Sequence, residues 1–313
     1  MRIKLILKAL FADIRVFLSK SYFIYIAVIF SLFLLLPSLN QGFFLDDWLL
    51  KLKIKYTNEL NWENFNFGIF DFVGNNSVEV KSAVDDGSLP WWTYEKLRMS
   101  FWRPLTELTH FIEFRLWPDS PFFMHWQNLI WYGIILLIAG ILYKRFLGYS
   151  WIAGLAIFLF AIESTHAVPV AWISNRNALI AVFFGLTSLY FHDRWRRDNF
   201  KPGWIFSAIC FIFCLLSAEF GLGIFAYLFA YAVCLENKGI KIKILSILPY
   251  AGIFVIWSIL YKLNGYGVYG SGVYIDPGNE PVRFFWVLIR RLPVLLHGQM
   301  GLFGTGFYRF LPS

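Results

Sequence analysis

Charge is scarce in this chain: Asp, Glu, Lys and Arg make up 15% of 313 residues. A soluble protein of that length would carry far more charge on its surface. Cysteine is nearly missing, and Cys210, Cys214 and Cys234 lie inside apolar runs with no His or acidic neighbour at ligand spacing. They read as packing residues and say nothing about redox compartment. A small-x-small cleavage pattern is lacking at Leu36-Pro37-Ser38, which favours an uncleaved first span over a signal peptide. No internal repeat occurs at a solenoid period. The net charge of +8 lacks the soluble basic face that nucleic-acid binding needs. The Lys and Arg residues instead cluster in short stretches between apolar runs, as cytoplasmic loops do.

What is abundant is hydrophobic: 58% of the residues, with 35 Phe, 16 Tyr and 14 Trp. Several apolar runs approach the roughly 20 residues needed to cross a bilayer core. The expectation is an all-α polytopic membrane protein, a bundle of about seven or eight spans. Residues 1–21, with Lys4, Lys8 and Arg15 on one helical face, read as a cytoplasmic interfacial helix. The transmembrane module runs over 22–263. Its spans are expected at 22–39, 126–143, 151–162, 178–191, two within 204–235 with an outward turn near Ser217–Gly221, and 245–263. A long outer loop, 40–125, lacks a spanning run, has turns at Gly74-Asn75-Asn76 and Asp85-Asp86-Gly87, and ends in an amphipathic helix over 102–117. Residues 264–313 read as a Gly/Tyr-rich outer loop and the start of a C-terminal membrane part. They stop at Phe310-Leu-Pro-Ser, which leaves a truncated product open.

This threading gathers the polar features on the outer face. Asp46 and Asp47 follow the first span directly, where carboxylates are costly unless they face water, a metal or a partner. Either they are an exit from the membrane or they are a functional pair. The segment 163–177 offers Glu163, His166 and Arg176. Arg suits bidentate phosphate binding, and His can hold a metal or donate to an anion. A lone Arg at a span end also serves as a headgroup anchor, so Arg176 alone decides nothing.

The motifs Trp102-Arg-Pro-Leu-Thr, Phe114-Arg-Leu-Trp with His125 and Asn128, and Ala171-Trp-Ile-Ser-Asn-Arg resemble the GT-C superfamily of membrane glycosyltransferases. The likeness is nearest to the branch of cadherin-directed transmembrane O-mannosyltransferases and their bacterial relatives. Asp46-Asp47 is similar to the acidic pair in the first outer loop of such enzymes. Leu216-Ser-Ala-Glu219 resembles their Ser-x-Glu, and Gly270–Pro277 an outer-loop motif of bacterial members. Where the branch often has His-Pro-x-His-x-Glu, this chain has Glu163-Ser-Thr-His166-Ala-Val168, and Ala218 stands where a Lys is common.

The resemblance implies a polyprenyl-phosphate-linked sugar as donor, a hydroxyl-bearing acceptor, and inversion at the anomeric carbon. It implies an active site on the extracytoplasmic side of a bacterial inner membrane, while the basic residues of 1–21 lead to the expectation of a cytoplasmic N-terminus. A lipid phosphate is a good leaving group, so positive charge on its oxygens matters more than a general acid. A carboxylate must take the acceptor proton. Asp46 is assigned as that base, and Asp47 orients it or binds a divalent cation, Mg or Mn. Arg103, His166 and Arg176 are assigned to the donor phosphate, while Glu163, Glu219 and His125 support the site or the acceptor. Glu219 is expected to hold an outer-loop arginine or to bind the acceptor. Two other classes compete: a carrier or flippase for lipid-linked saccharide, and a catalytically inactive accessory subunit. An enzyme would place Asp46, Asp47, His166 and Arg176 around one outer cavity.

Overall fold

The computed structural model describes residues 2–56, 68–74, 77–271, 274–275, 277–278 and 280–300. The Gly74-Asn75-Asn76 turn and the Gly270–Pro277 motif lie partly outside these residues, and the chain's last four residues wholly so. In chain order the elements are α1 (Arg2–Ser19), α2 (Phe23–Leu35), α3 (Asp46–Tyr56), β1 (Asp71–Val73), α4 (Ser77–Asp85), β2 (Arg98–Ser100), α5 (Pro104–Leu116), α6 (Pro121–Leu147), α7 (Trp151–Ile162), α8 (Ala167–Ala171), α9 (Arg176–Arg197), α10 (Gly203–Leu215), α11 (Gly223–Cys234), α12 (Ile240–Leu263), β3 (Gly267–Tyr269) and α13 (Pro281–Met300). Helix is the dominant state, as the apolar runs require, because a spanning segment must satisfy its own backbone.

Local chemistry sets the boundaries. Pro104 and Pro121 occupy first helical positions, where a missing N–H costs nothing. The Ser150 hydroxyl accepts the Ala153 amide and starts α7. Gly148, at φ +70°, closes α6, and Asn199, at φ +55°, follows the last turn of α9. Among the described residues, three helical stretches are long and apolar enough to cross a membrane: 23–40, α6 and α12. A fourth forms if α7 and the bent segment 164–171 count together across their 46° break. Helices α10 and α11 are apolar but shorter, separated by a break at 216–218 and a 3-10 turn at Glu219–Leu222.

The chain forms two compact units. The larger comprises residues up to 70 and 101–263. One core joins α2, α6, α7 and the start of α9 through Phe23, Ala27, Leu136, Ala139, Ile157 and Leu179. Another joins α6, α9, α10, α11 and α12 through Leu142, Leu189, Phe211, Leu228 and Tyr250. Between apolar helices in lipid, close packing rather than water exclusion drives association, so small residues matter. At Gly154 a Cβ would sit 2.1 Å from the Leu18 carbonyl oxygen, so only glycine lets α7 approach the end of α1. The rest of α1 leaves Ile6, Leu10, Phe11 and Phe17 exposed.

The smaller unit comprises 71–100 and residues from 264 onward. It holds a feature absent from the all-α expectation, a three-stranded antiparallel sheet in the order β1-β2-β3. Each strand is three residues long, too short for alternation to be visible in the sequence. Gly270, at φ +73°, follows β3, where a Cβ would meet the Tyr94 ring at 2.4 Å.

Candidate functional site

The site is built where α2 ends. A 3-10 turn over Leu36–Asn40 leads into a short loop, and Leu45 adopts φ +47° before α3 begins at Asp46. A left-handed conformation at a non-glycine residue costs about 1–3 kcal/mol and must be held by its surroundings. The holding group is Asp47. One of its oxygens reaches back to the Phe44 amide at 2.9 Å, as in a capping box. The other accepts the Ser174 amide at 2.7 Å and the Ser174 hydroxyl at 2.5 Å. Asp47 is fully buried.

Asp46 has the opposite surroundings. It is partly exposed and has no hydrogen-bond partner among the described residues. Partial burial, and then the adjacent Asp47 charge, push its carboxyl above the ordinary value.

Ser174 belongs to a 3-10 turn, Ile173–Asn175, that feeds the first residue of α9, Arg176. Arg176 is fully buried, and each nitrogen has an acceptor. Nε donates to Asn128 Oδ1 at 2.6 Å, Nη2 to the Met124 carbonyl at 2.9 Å, and Nη1 to Glu113 Oε2. Asn128 in turn donates to the carbonyls of Val170 and Trp172 at 3.0 and 3.5 Å, so one side chain ties α6 to the segment before α9. The other Glu113 oxygen meets His110 Nδ1 at 2.7 Å. Burial holds the His110 imidazole below its ordinary pKa, so the ring is neutral and Nδ1 carries the shared proton. An ion pair this deep is tolerable because each guanidinium nitrogen and both carboxylate oxygens have a hydrogen-bond partner.

A second branch contains Arg103. Its Nε and Nη2 donate to Glu219 Oε2 at 2.9 and 2.8 Å. With the Asn177 amide oriented so that its oxygen faces the guanidinium, Arg103 Nη1 donates to it at 3.2 Å, and the amide nitrogen donates to the Ser174 and Asn175 carbonyls. The Arg103 guanidinium lies over the Phe101 ring at 4.3 Å. Backbone need brings Arg103 to Glu219. The first turn of α5 has unpaired amides, and the α10–α11 break has unpaired carbonyls. Leu105 N donates to Leu216 O, and Thr106 Oγ1 to Ser217 O. The Tyr261 hydroxyl reaches the other Glu219 oxygen at 3.4 Å.

The expected site residues therefore divide. Asp47, Arg103 and Glu219 are joined by Ser174 and Asn177 into one continuous network, in which Glu219 holds Arg103. Arg176 adjoins it through the Ser174–Asn177 turn. His125 is buried with Nε2 at 3.4 Å from the Gly42 carbonyl, bracing the loop before Asp46. His166 and Glu163 stand apart. His166 bonds to Tyr132 at 3.1 Å and packs on Phe160, while Glu163 is exposed and accepts the Thr165 amide.

Two expectations need correction in their geometry. Asp47 and Arg176 do not line open space; both are fully buried, and their polar atoms are spent on partners within the fold. Asp47 is also unsuited to a divalent cation. Three hydrogen-bond donors point protons at its oxygens, and no cluster of three His, Cys, Asp or Glu residues exists among the described residues.

Sequence reasoning missed His110, Glu113, Ser174 and Asn177. A signal existed for two of them. Thr106, His110 and Glu113 recur at helical spacing along α5 and form its buried polar stripe, although the apolar residues of that segment had suggested the membrane-facing side. Compared with protein-family models, curated proteins and solved structures, the chain matches none.

Proposed function

We propose that this chain is an integral-membrane inverting glycosyltransferase of the GT-C type, moving a sugar from a polyprenyl-phosphate donor to a hydroxyl acceptor. The observation that carries the reading is the contrast between two adjacent carboxylates. Asp46 is partly accessible, without a hydrogen-bond partner among the described residues, and raised in pKa, while Asp47 is locked beside it. A general base needs an accessible carboxylate whose pKa has moved toward the working pH.

In this mechanism the acceptor oxygen attacks the anomeric carbon as its proton passes to Asp46. The bond from that carbon to the phosphate oxygen breaks, and polyprenyl phosphate departs with the electron pair. Arg103 is the guanidinium we assign to the departing phosphate, because it is partly exposed whereas Arg176 is wholly enclosed. Glu219 orients Arg103, and Arg176 with Glu113 forms the scaffold beneath the pair. His166 and Glu163 belong to the donor or acceptor entrance. The bundle of seven or eight spans, the cytoplasmic N-terminus and the extracytoplasmic site in a bacterial inner membrane belong to the same reading. The exposed apolar residues of α1 support an interfacial N-terminal helix.

One observation favours a second reading. The complete internal pairing of Asp47 and Arg176 is also what a non-catalytic accessory subunit would have. The test is sugar transfer in proteoliposomes from a labelled polyprenyl-phosphate sugar, comparing the wild type with Asp46→Asn. Loss of transfer with intact folding supports the enzyme, and unchanged transfer removes Asp46 as base.

A further inference from the structure

The opposite end of α6 carries a feature that the proposed transfer reaction does not use. Met124 and Asn128 serve the Arg176 network, whereas Lys144 and Arg145 lie some 20 residues on, about 30 Å along the helix axis. Here a cleft of about 500 Å³ opens, lined by Tyr22, Tyr25, Lys144, Arg145, Tyr149 and Tyr190 among others.

Lys144 is buried, yet it meets no carboxylate among the described residues. Its ammonium donates to the Lys20 and Ser21 carbonyls, both at 2.8 Å. These two bonds hold the turn after α1 and leave the third proton without an acceptor among the described residues. The partial negative charge of the α1 C-terminus offsets part of the cation. The neighbouring acids are already claimed: Arg145 binds Asp193 and Asp198, Arg194 also binds Asp198, and Arg197 approaches Asp193. Three cations thus share two carboxylates, and Lys144 has neither of them. A buried ammonium without a counter-ion is costly, and an anion in the adjoining cleft would remove that cost.

The wall points to the kind of anion. Tyr149 lies beneath the Lys144 ammonium at 5.4 Å and Tyr190 beneath the Arg145 guanidinium at 5.7 Å. Tyrosines at the end of apolar helices sit at headgroup level, and basic pockets between such helices bind lipid headgroups. We propose that this cleft binds a phosphate-bearing anion through Lys144, with Arg145 and the tyrosine hydroxyls around it, and that in a bilayer the anion is a phospholipid headgroup. The site is independent of the glycosyltransferase reading.

The test uses the full chain in phosphatidylcholine nanodiscs, titrated with phosphatidylglycerol and read by native mass spectrometry. Lys144→Met should weaken retention about fivefold or more, the worth of one lysine at a membrane surface. Since Lys144 also holds the turn after α1, Ile141→Trp gives a second variant that fills the cleft and leaves those bonds intact. It should weaken retention similarly. Inorganic phosphate in a parallel titration separates the sources. If millimolar phosphate displaces the lipid from the wild type but not from Lys144→Met, the phosphate chemistry stands and a free anion is a ligand. If it does not compete, the headgroup is the ligand. Equal retention by wild type, Lys144→Met and Ile141→Trp overturns the site. Asp46→Asn should leave retention unchanged, so failure here and failure of the transfer reaction are distinguishable.

Discussion

Asp47 accepts both the amide and the hydroxyl of Ser174, at 2.7 and 2.5 Å, across 127 positions of sequence. This contact joins the loop after the first apolar helix to the turn that starts α9, and Asp46 stands beside it. Ser174→Ala removes the hydroxyl bond and keeps the amide bond. The expected cost is about 1–3 kcal/mol, read as a lower thermal midpoint in detergent. Asp47→Asn should cost more, because an amide N–H₂ must then face a donor. If both variants melted with the wild type, the contact would have no structural role.

Asp46→Asn should behave in the opposite way on the two axes. Transfer falls by roughly 10²–10⁴-fold, the usual contribution of a general base. Stability at neutral pH is unchanged or slightly higher, since the raised pKa means the folded state disfavours this charge. Parallel activity and unfolding measurements check both. Unfolding of the variant, rather than inactivation, would move Asp46 into the scaffold.

The pH profile follows from the same shift. Activity requires the Asp46 carboxylate, so it falls as pH drops through a value above the ordinary 3.8. The stability contribution has the reverse sign. The folded state holds the proton more tightly than the unfolded chain, so the contribution is present at low pH and fades as pH rises through the folded pKa. Initial rates across an acid series would show the limb, and a limb at or below the ordinary Asp value would contradict the assignment.

Arg176→Met leaves Glu113 buried without its cation and should destabilise by about 3–5 kcal/mol. Arg176→Lys should recover only part of this, because a lysine cannot reach Asn128, Glu113 and the Met124 carbonyl in the same fork geometry. Pairing Arg176→Met with Glu113→Leu should restore much of the loss. A donor-phosphate role for Arg176 would show instead as a raised KM in a variant of normal stability.

For Arg103 the expected balance is different. Its pair with Glu219 is partly exposed, with side-chain accessibilities of 15% and 24%, so Arg103→Lys should cost stability little. Transfer should fall by tenfold or more, about 1.4 kcal/mol of leaving-group stabilisation, because the fork that suits phosphate oxygens is lost. Steady-state kinetics with labelled donor would separate this from a folding effect.

Much of the fold was legible in the sequence because lipid allows few solutions. Apolar runs separated by basic clusters read as helices, and α5, α7, the α10–α11 break and α12 fall where the runs and turns placed them. The number of true spans was less legible. Helices α10 and α11 are 13 and 12 residues long, short of a bilayer's width. The pairing of β2 with β3 was not legible at all, since it joins segments more than 160 residues apart through strands too short to carry a pattern.

At the candidate site, the sequence by itself determined that two carboxylates would stand where the first apolar helix ends. It also placed Arg176 in the polar segment 163–177 and a glutamate at a helix break. The tertiary structure decided their roles. Adjacent residues project in different directions, so when Ser174 claimed Asp47, Asp46 was left outside the hydrogen-bonded interior. Burial likewise set Arg176 apart from Arg103: both are arginines beside polar turns, but only one is enclosed by Glu113, Asn128 and a backbone carbonyl. Those partners lie 48 to 63 positions from Arg176. No local pattern encodes a contact of that range, because it exists only once the helices have packed.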